Sequence, residues 1–331
     1  MSEIPTTAGR TELSPEIKKF LESHPQLHLG SPDDSVHLER RIHTQVFGIH
    51  SIPKDKVHPI GDVEFTAIRG PHGTIPIRVL YPSSAPKDKG GKYAALIYFH
   101  GGGYTVGSVD EFEQGLRLLA EESGCQIYAV DYRLAPEWRF PTQLDEYDAV
   151  IDALRASFGQ ERGVSKDLVF GGGDSAGGNM TAAISLRRYD SQKPNIRGQM
   201  LYYPEARVPF DTLAATENNS GFYLECNGIF EFANNYLPAG ISPASRYISP
   251  GMQAVDRLKD LPPARVFTSG FDPLRDVGVE YASKLQKAGN DVKWTHYERM
   301  THGWLQMTSW SSEAVDAVKH SAKQLKEMAQ S

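Results

Sequence analysis

From about residue 62 onward, short apolar runs alternate with stretches in which apolar residues recur every three or four positions. The runs YAALIYF (93–99), QIYAV (126–130), LVF (168–170), QMLYY (199–203), ARVFTS (264–269) and VKWTHY (292–297) have the length and the aromatic or β-branched content of strands. Between them, Leu144, Tyr147, Ile151, Leu154 and Phe158 share one helical face, and Val315, Val318, Ala322, Leu325 and Met328 share another near the end of the chain. Alternation of this kind predicts a mostly parallel sheet covered by helices on both faces. The stretch VEFTAIRGPHGTIPIRVLYP (63–82) reads as two extended runs around a Gly70–Gly73 turn, a hairpin that adds antiparallel strands at one sheet edge.

Two segments break the pattern. Residues 1–60 are polar and hold six of the eleven histidines, His24, His28, His37, His43, His50 and His58. No HExxH-like spacing joins them, so they read as surface or packed residues. Within this segment Ser14-Pro15-Glu16 predicts a helix start, with Ser14 as N-cap and Ile17, Phe20 and Leu21 as its apolar stripe. The second break is EARVPFDTLAATENNSGFYLECNGIFEFANNYLPAG (205–240), far longer than an ordinary strand-to-helix connection and helical around Ile229, Phe230 and Phe232. It reads as an insertion over the carboxyl ends of the strands, packed with the N-terminal segment as a lid. The expected layout is 1–55 as the N-terminal part of the cap, 56–204 and 241–331 as the two parts of a catalytic domain, and 205–240 as the cap insertion.

Composition narrows the class. A chain of 331 residues with 40% hydrophobic and 23% charged residues suits one elaborated globular core. The formal charge of −6 and the lack of a basic run argue against a nucleic-acid partner. No apolar run is long enough to span a bilayer. The polar, acidic start of the chain is unlike a secretory signal, so a cytoplasmic protein is expected. Cys125 and Cys226 are the only cysteines, which excludes a disulfide framework or zinc knuckle but leaves a single bridge between them open.

The candidate chemistry centres on LVFGGGDSAGGNMTAA (168–183), glycine-rich between a predicted strand and helix. Read as G-x-G-x-x-G/A with Asp190 about twenty residues on, it is a dinucleotide phosphate loop. Against this, Asp190 precedes a strand instead of ending one, and Asp174 would face an anion at a helix N-terminus built to attract it. Read as G-x-S-x-G, Gly173-Asp174-Ser175-Ala176-Gly177 is a nucleophile elbow. Its flanking positions must lack side chains so that a strained turn can expose Ser175.

An elbow needs an acid and then a histidine later in the chain. Asp272, in GFDPLRD, follows the ARVFTS strand, and His302, in YERMTHGW, follows VKWTHY. Both are therefore expected beyond the carboxyl ends of strands, where open α/β sheets place their chemistry. His302 is read as the general base on Ser175, with Asp272 holding the imidazole tautomer. Such a base works only when neutral, so activity is expected to rise from the acid side. The glycines of YFHGGGY (98–104) read as an oxyanion hole, with backbone donors from Gly102, Gly103 and Ala176, and His100 ordering the loop.

In HGGGY (100–104), DYRLAPE (131–137), GDSAGGN (173–179), DPLRD (272–276) and HGW (302–304), and in their order, the chain resembles the hormone-sensitive-lipase-like family of α/β-hydrolase esterases. The likeness spans about residues 60–310, and GDSAGG lies nearer the bacterial and fungal carboxylesterases of the family than its triglyceride lipases. The resemblance implies an eight-stranded, mostly parallel sheet with a helical cap, no cofactor or metal, and a Ser175–Asp272–His302 triad served by Gly102, Gly103 and Ala176. It makes Asp174, Asp131 and Arg133 structural. Three positions depart from the family pattern: Trp138-Arg139 where His-Pro is usual, Arg299 where a glycine commonly precedes the histidine, and Glu205. Glu205 reads first as a solvated loop residue. The alternative is a pocket carboxylate favouring a cationic or hydroxyl-bearing substrate.

The function expected is hydrolysis of short- to medium-chain carboxylic esters through an acyl-enzyme, with a small-molecule ester as partner and monomer or homodimer left open. An amide or lactone hydrolase with the same triad is the alternative. A non-catalytic receptor is the third reading, disfavoured because His302 is in place.

Overall fold

The computed structural model describes residues 3–31, 34–86, 92–208 and 210–331, so residues 1–2 and 32–33 of the N-terminal segment, 87–91 of the part that follows and Pro209 of the insertion lie outside the described residues. Eight strands form one sheet in the order β1-β2-β4-β3-β5-β6-β7-β8. They are β1 (Asp62–Gly70), β2 (Gly73–Tyr81), β3 (Tyr93–Phe99), β4 (Gln126–Val130), β5 (Val164–Asp174), β6 (Gln199–Tyr202), β7 (Ala264–Phe271) and β8 (Val292–Thr301). The β1–β2 hairpin joins β4 antiparallel, and every pairing from β4 across to β8 is parallel.

The helices are α1 (Pro15–Ser23), α2 (Val36–Phe47), α3 (Val109–Ser123), α4 (Thr142–Leu154), α5 (Ser157–Gln160), α6 (Ala176–Asp190), α7 (Leu213–Glu217), α8 (Cys226–Tyr236), α9 (Arg275–Lys287) and α10 (Ser312–Gln330). Successive strand residues point to opposite faces. Leu96 and Tyr98 of β3 accordingly join the core under α3 and α10, with Leu116, Leu119, Val318 and Leu325. Ile97 and Phe99 face Leu144, Tyr147, Met180 and Ile184 of α4 and α6. Leu201 and Val266 continue that second face beneath α9, against Tyr281 and Leu285. Each central strand is buried on both sides, the reason its sequence is continuously apolar.

Two local expectations are corrected. The stripe Leu144–Phe158 is not one helix: α4 stops at Leu154 and α5 starts at Ser157. The chain folds back so tightly that a Cβ on Gly159 would lie 2.0 Å from the Leu154 carbonyl oxygen. Ser14 precedes α1 as expected, but its side chain makes no capping bond and its hydroxyl is buried without a partner. Glu16 serves a distant helix instead, accepting from the Ser312 amide at 2.6 Å and hydroxyl at 2.8 Å at the start of α10.

The N-terminal segment and the segment after β6 meet directly. Leu29 pairs with Leu224 in a parallel bridge, donating its amide to Tyr223 O at 2.8 Å and accepting from Glu225 N at 2.9 Å. Gly30 packs on Gly228 of α8 so closely that a Cβ on Gly228 would lie 1.9 Å from the Gly30 carbonyl oxygen. Both segments also hold the loop after β7. Asn218 donates to the carbonyls of Gly270 (3.1 Å) and Asp272 (3.0 Å) and accepts from Arg10 at 2.8 Å.

Candidate active site

Ser175 is the single residue between the end of β5 and the start of α6, with φ 52° and ψ −120°. The tight strand-to-helix reversal holds this non-glycine residue in a strained region. The flanking glycines are required sterically. A Cβ on Gly173 would lie 2.3 Å, and one on Gly177 1.8 Å, from the carbonyl oxygen of Phe99 on the neighbouring strand. Ala176 is the first residue of α6, so its amide has no acceptor within the helix and lies at the positive end of the dipole.

The glycine loop after β3 lies alongside. Gly102 and Gly103 have φ of 101° and 58°. A Cβ on Gly102 would meet the Val106 carbonyl oxygen at 2.1 Å, and one on Gly103 the ring of Phe232 in α8 at 2.1 Å. Asp174 ties this loop to the elbow, accepting from the Gly101 amide at 2.7 Å and the Tyr98 hydroxyl at 2.6 Å. Burial raises its carboxyl to about 6 despite those bonds. This inward engagement leaves nothing of the phosphate-loop geometry, and Asp190 pairs with Arg246 at 2.6 Å and Tyr247 at 2.8 Å. His100 stacks on Tyr132 at 4.4 Å and meets the Gly101 carbonyl at 2.8 Å, with its pKa lowered by burial, as suits a loop-ordering residue.

Asp272 and His302, thirty positions apart, are both buried, with Nδ1 of His302 2.8 Å from Oδ2 of Asp272. The other carboxylate oxygen accepts from the Leu274 amide at 2.8 Å, which fixes the carboxylate plane. A carboxylate accepts, so Nδ1 carries the imidazole proton and Nε2 presents its lone pair. Nε2 is buried without a hydrogen-bond partner; no bond to Ser175 Oγ is closed. The ring of Tyr203 packs against His302 with centroids 4.7 Å apart.

The surroundings revise one reading. Glu205 is not solvated: it is 3% exposed, its amide donates to the Ser175 carbonyl at 3.2 Å, and its carboxyl is hydrogen-bonded to Tyr104 and pushed up to about 8 by burial. Tyr104 stacks flat on Tyr236 of α8 with centroids 3.7 Å apart. Trp138 is half exposed under the Arg133 guanidinium, and Arg299 pairs with Glu313 at 3.4 Å. Asp131 accepts from the first amide of α3 at 2.8 Å, and Arg133 pairs with buried Glu146. Cys125 and Cys226 are buried and free, so the bridge left open above is not formed. Among the described residues no three His, Cys, Asp or Glu side chains converge as metal ligands, and no helix is long and apolar enough to cross a membrane.

His43, Glu111 and Tyr223 line a small cavity with His302, and Tyr203 packs on its ring, from four separate segments whose roles no motif announced. Their spacing carries no motif; only packing brings them together.

This combination of elbow, glycine loop and sealed acid–histidine pair defines an α/β hydrolase. A family model of the alpha/beta hydrolase fold matches residues 96–306. The esterase LipI of Mycobacterium tuberculosis is 30% identical over 92% of this chain and 92% of its own. The ethyl acetate hydrolase of Pseudomonas putida is 32% identical over 78% of this chain and 80% of its own. The crystal structure of a thermostable esterase from Pseudomonas putida superimposes with a TM-score of 0.87 at 29% identity, covering 98% of this chain and all of that one. The chain belongs to the hormone-sensitive-lipase-like family of α/β-hydrolase carboxylesterases, and its enzymatic class is carboxylic-ester hydrolase.

Proposed function

We propose that Ser175, His302 and Asp272 form the triad of a two-step acyl transfer on short- to medium-chain carboxylic esters. The observation that carries this reading is the strained elbow at Ser175 together with a buried imidazole whose Nδ1 is held by Asp272 and whose Nε2 keeps an unpartnered lone pair. His302 takes the Ser175 proton as Oγ attacks the ester carbonyl. The amides of Gly102, Gly103 and Ala176 receive the oxyanion; loss of one such donor typically costs about 3 kcal/mol of transition-state stabilisation. His302 then protonates the leaving alcohol, and water repeats the sequence on the acyl-enzyme.

Residues 1–55 and 205–240 act as the cap over 56–204 and 241–331. The Leu29–Leu224 bridge and the packing of Phe232 and Tyr236 on the glycine loop support that division and argue for small acyl groups. Two buried free cysteines fit a reducing, cytoplasmic setting.

The test is hydrolysis of p-nitrophenyl esters from acetate to decanoate by the wild type and Ser175→Ala. Turnover of the shorter esters with loss of several orders of magnitude in the variant supports the reading; equal rates would remove Ser175 as nucleophile.

A further inference from the structure

A small cavity lies between His302, α2 and the glycine loop. His302, Gly102, His43, Glu111 and Tyr223 are among its walls, and it has room for about one water molecule. Three of these lining residues carry buried polar atoms with no protein partner: Nε2 of His302, Nε2 of His43 and Oε2 of Glu111.

The protons on each group follow from the opposite side of the ring or carboxyl. His43 Nδ1 lies 2.8 Å from the Glu39 carbonyl oxygen, which can only accept. Nδ1 therefore holds the proton, and the buried, unpartnered Nε2 carries the lone pair. His302 is oriented the same way by Asp272. Burial lowers His43 to about 4, so it stays neutral through the working range of such an enzyme. Glu111 Oε1 accepts from Thr44 at 2.8 Å and Ser108 at 3.1 Å. Burial raises this carboxyl to about 7, so near neutrality Oε2 spends much of its time as an O–H donor. Two acceptors and one donor around a space of one water match what water offers, two protons to give and a lone pair to receive.

The walls are rigid. Arg40, one turn from His43 and Thr44 on α2, donates to the carbonyls of Thr105 at 2.7 Å and Ala135 at 2.9 Å. That clamps α2 to the end of the glycine loop.

We propose that this cavity seats the water that hydrolyses the acyl-enzyme, with His43 and Glu111 as positioning residues; the proposal rests on the acyl-transfer reading above. In this step His302 Nε2 removes one proton from the water while its oxygen forms the bond to the acyl carbon. The other proton is held toward His43 Nε2. Collapse of the tetrahedral intermediate breaks the bond to Ser175 Oγ, and His302 returns its proton to that oxygen, releasing the carboxylic acid.

Because kcat/KM reports steps through acylation and kcat also reports deacylation, the proposal predicts a split that general damage would not produce. In stopped-flow hydrolysis of p-nitrophenyl acetate, His43→Phe should release the first p-nitrophenol within about twofold of the wild-type rate. Its steady-state rate should fall by roughly ten- to a hundredfold, the cost of a misplaced reactant. Acid quenching should trap acyl-Ser175 by mass spectrometry. His43→Gln, which restores an acceptor near the Nε2 position, should recover part of the deacylation rate. Glu111→Leu should repeat the split and carries the test if His43→Phe fails to fold. Parallel loss in both phases, or an unchanged steady-state rate in a folded variant, overturns the proposal while leaving the nucleophile assignment standing. Failure to detect any acyl-Ser175 in the wild type or the variants overturns the parent reading, and this one with it.

Discussion

Nδ1 of His302 and Oδ2 of Asp272 meet at 2.8 Å with both side chains buried, each just past the paired residues Phe271 and Thr301 of β7 and β8 although thirty positions apart in the chain. Burial excludes water from competing for the bond, and the Leu274 amide prevents the carboxylate from turning away. The pair therefore fixes the tautomer, with the proton on Nδ1 and the lone pair on Nε2.

Asp272→Asn tests that role. The amide oxygen still accepts from Leu274, while the amide nitrogen would face Nδ1 and select the opposite tautomer. The expected outcome is an unchanged circular dichroism spectrum and melting temperature within a few degrees. The kcat on p-nitrophenyl acetate should drop by roughly 10⁴-fold, the loss seen when a triad carboxylate is neutralised in place.

Gly177→Ala tests the elbow's steric demand. A Cβ there would lie 1.8 Å from the Phe99 carbonyl oxygen, a backbone atom in the middle of the sheet. β3 and α6 cannot both keep their positions. A destabilisation of more than about 2 kcal/mol is expected in urea titration, at the large end for one added methyl group.

Gly103→Ala should act through α8. The added methyl group would collide with the Phe232 ring at 2.1 Å, a side chain that can be shortened. Gly103→Ala should lower kcat/KM by about a hundredfold, and adding Phe232→Ala should restore part of the loss. Strict additivity in the double-mutant cycle would place the cost in the backbone, at φ 58°, and not in the contact with α8.

Glu205→Gln addresses the buried carboxyl. Its folded pKa of about 8 lies above the ordinary 4.5, so between those values the unfolded chain releases a proton that the folded one keeps. Unfolding then gains as pH rises, and this group's contribution to stability declines from about pH 4.5 to 8. Glutamine removes that titration. Wild type and variant should differ least below about pH 4.5, with the variant gaining from there up to about pH 8. His43 has the opposite sign: lowered from 6.5 to about 4, it favours the folded state increasingly across that interval. The difference between the two Glu205 proteins cancels that contribution.

Much of this enzyme was legible before any coordinates. The alternation of strands with helices and the chain order Ser175, Asp272, His302 follow from properties that are local along the chain. Apolar periodicity reports an element's own buried face. A glycine two positions before and after Ser175 reports a collision within one turn. An aspartate and a histidine placed just past two strands inherit their location from the parallel sheet. The lengths of the N-terminal segment and of the stretch after β6 indicated extra material, and the helix Cys226–Tyr236 forms where its aromatic residues suggested.

Packing between distant segments decided the rest. Ser14 has the right chemistry for a cap, yet Glu16 beside it went to Ser312, almost three hundred positions away. Glu205 looked like a loop residue because nothing near it in sequence announces that Tyr104 and the Ser175 backbone will enclose it. His43 was one of six scattered histidines until α2 crossed the glycine loop and set it in the same cavity as His302. Sequence alone determines which groups a protein carries and which local conformations they permit. Burial, and with it the protonation state and direction of each polar atom, is a property of the assembled surfaces, and only the tertiary structure decides it.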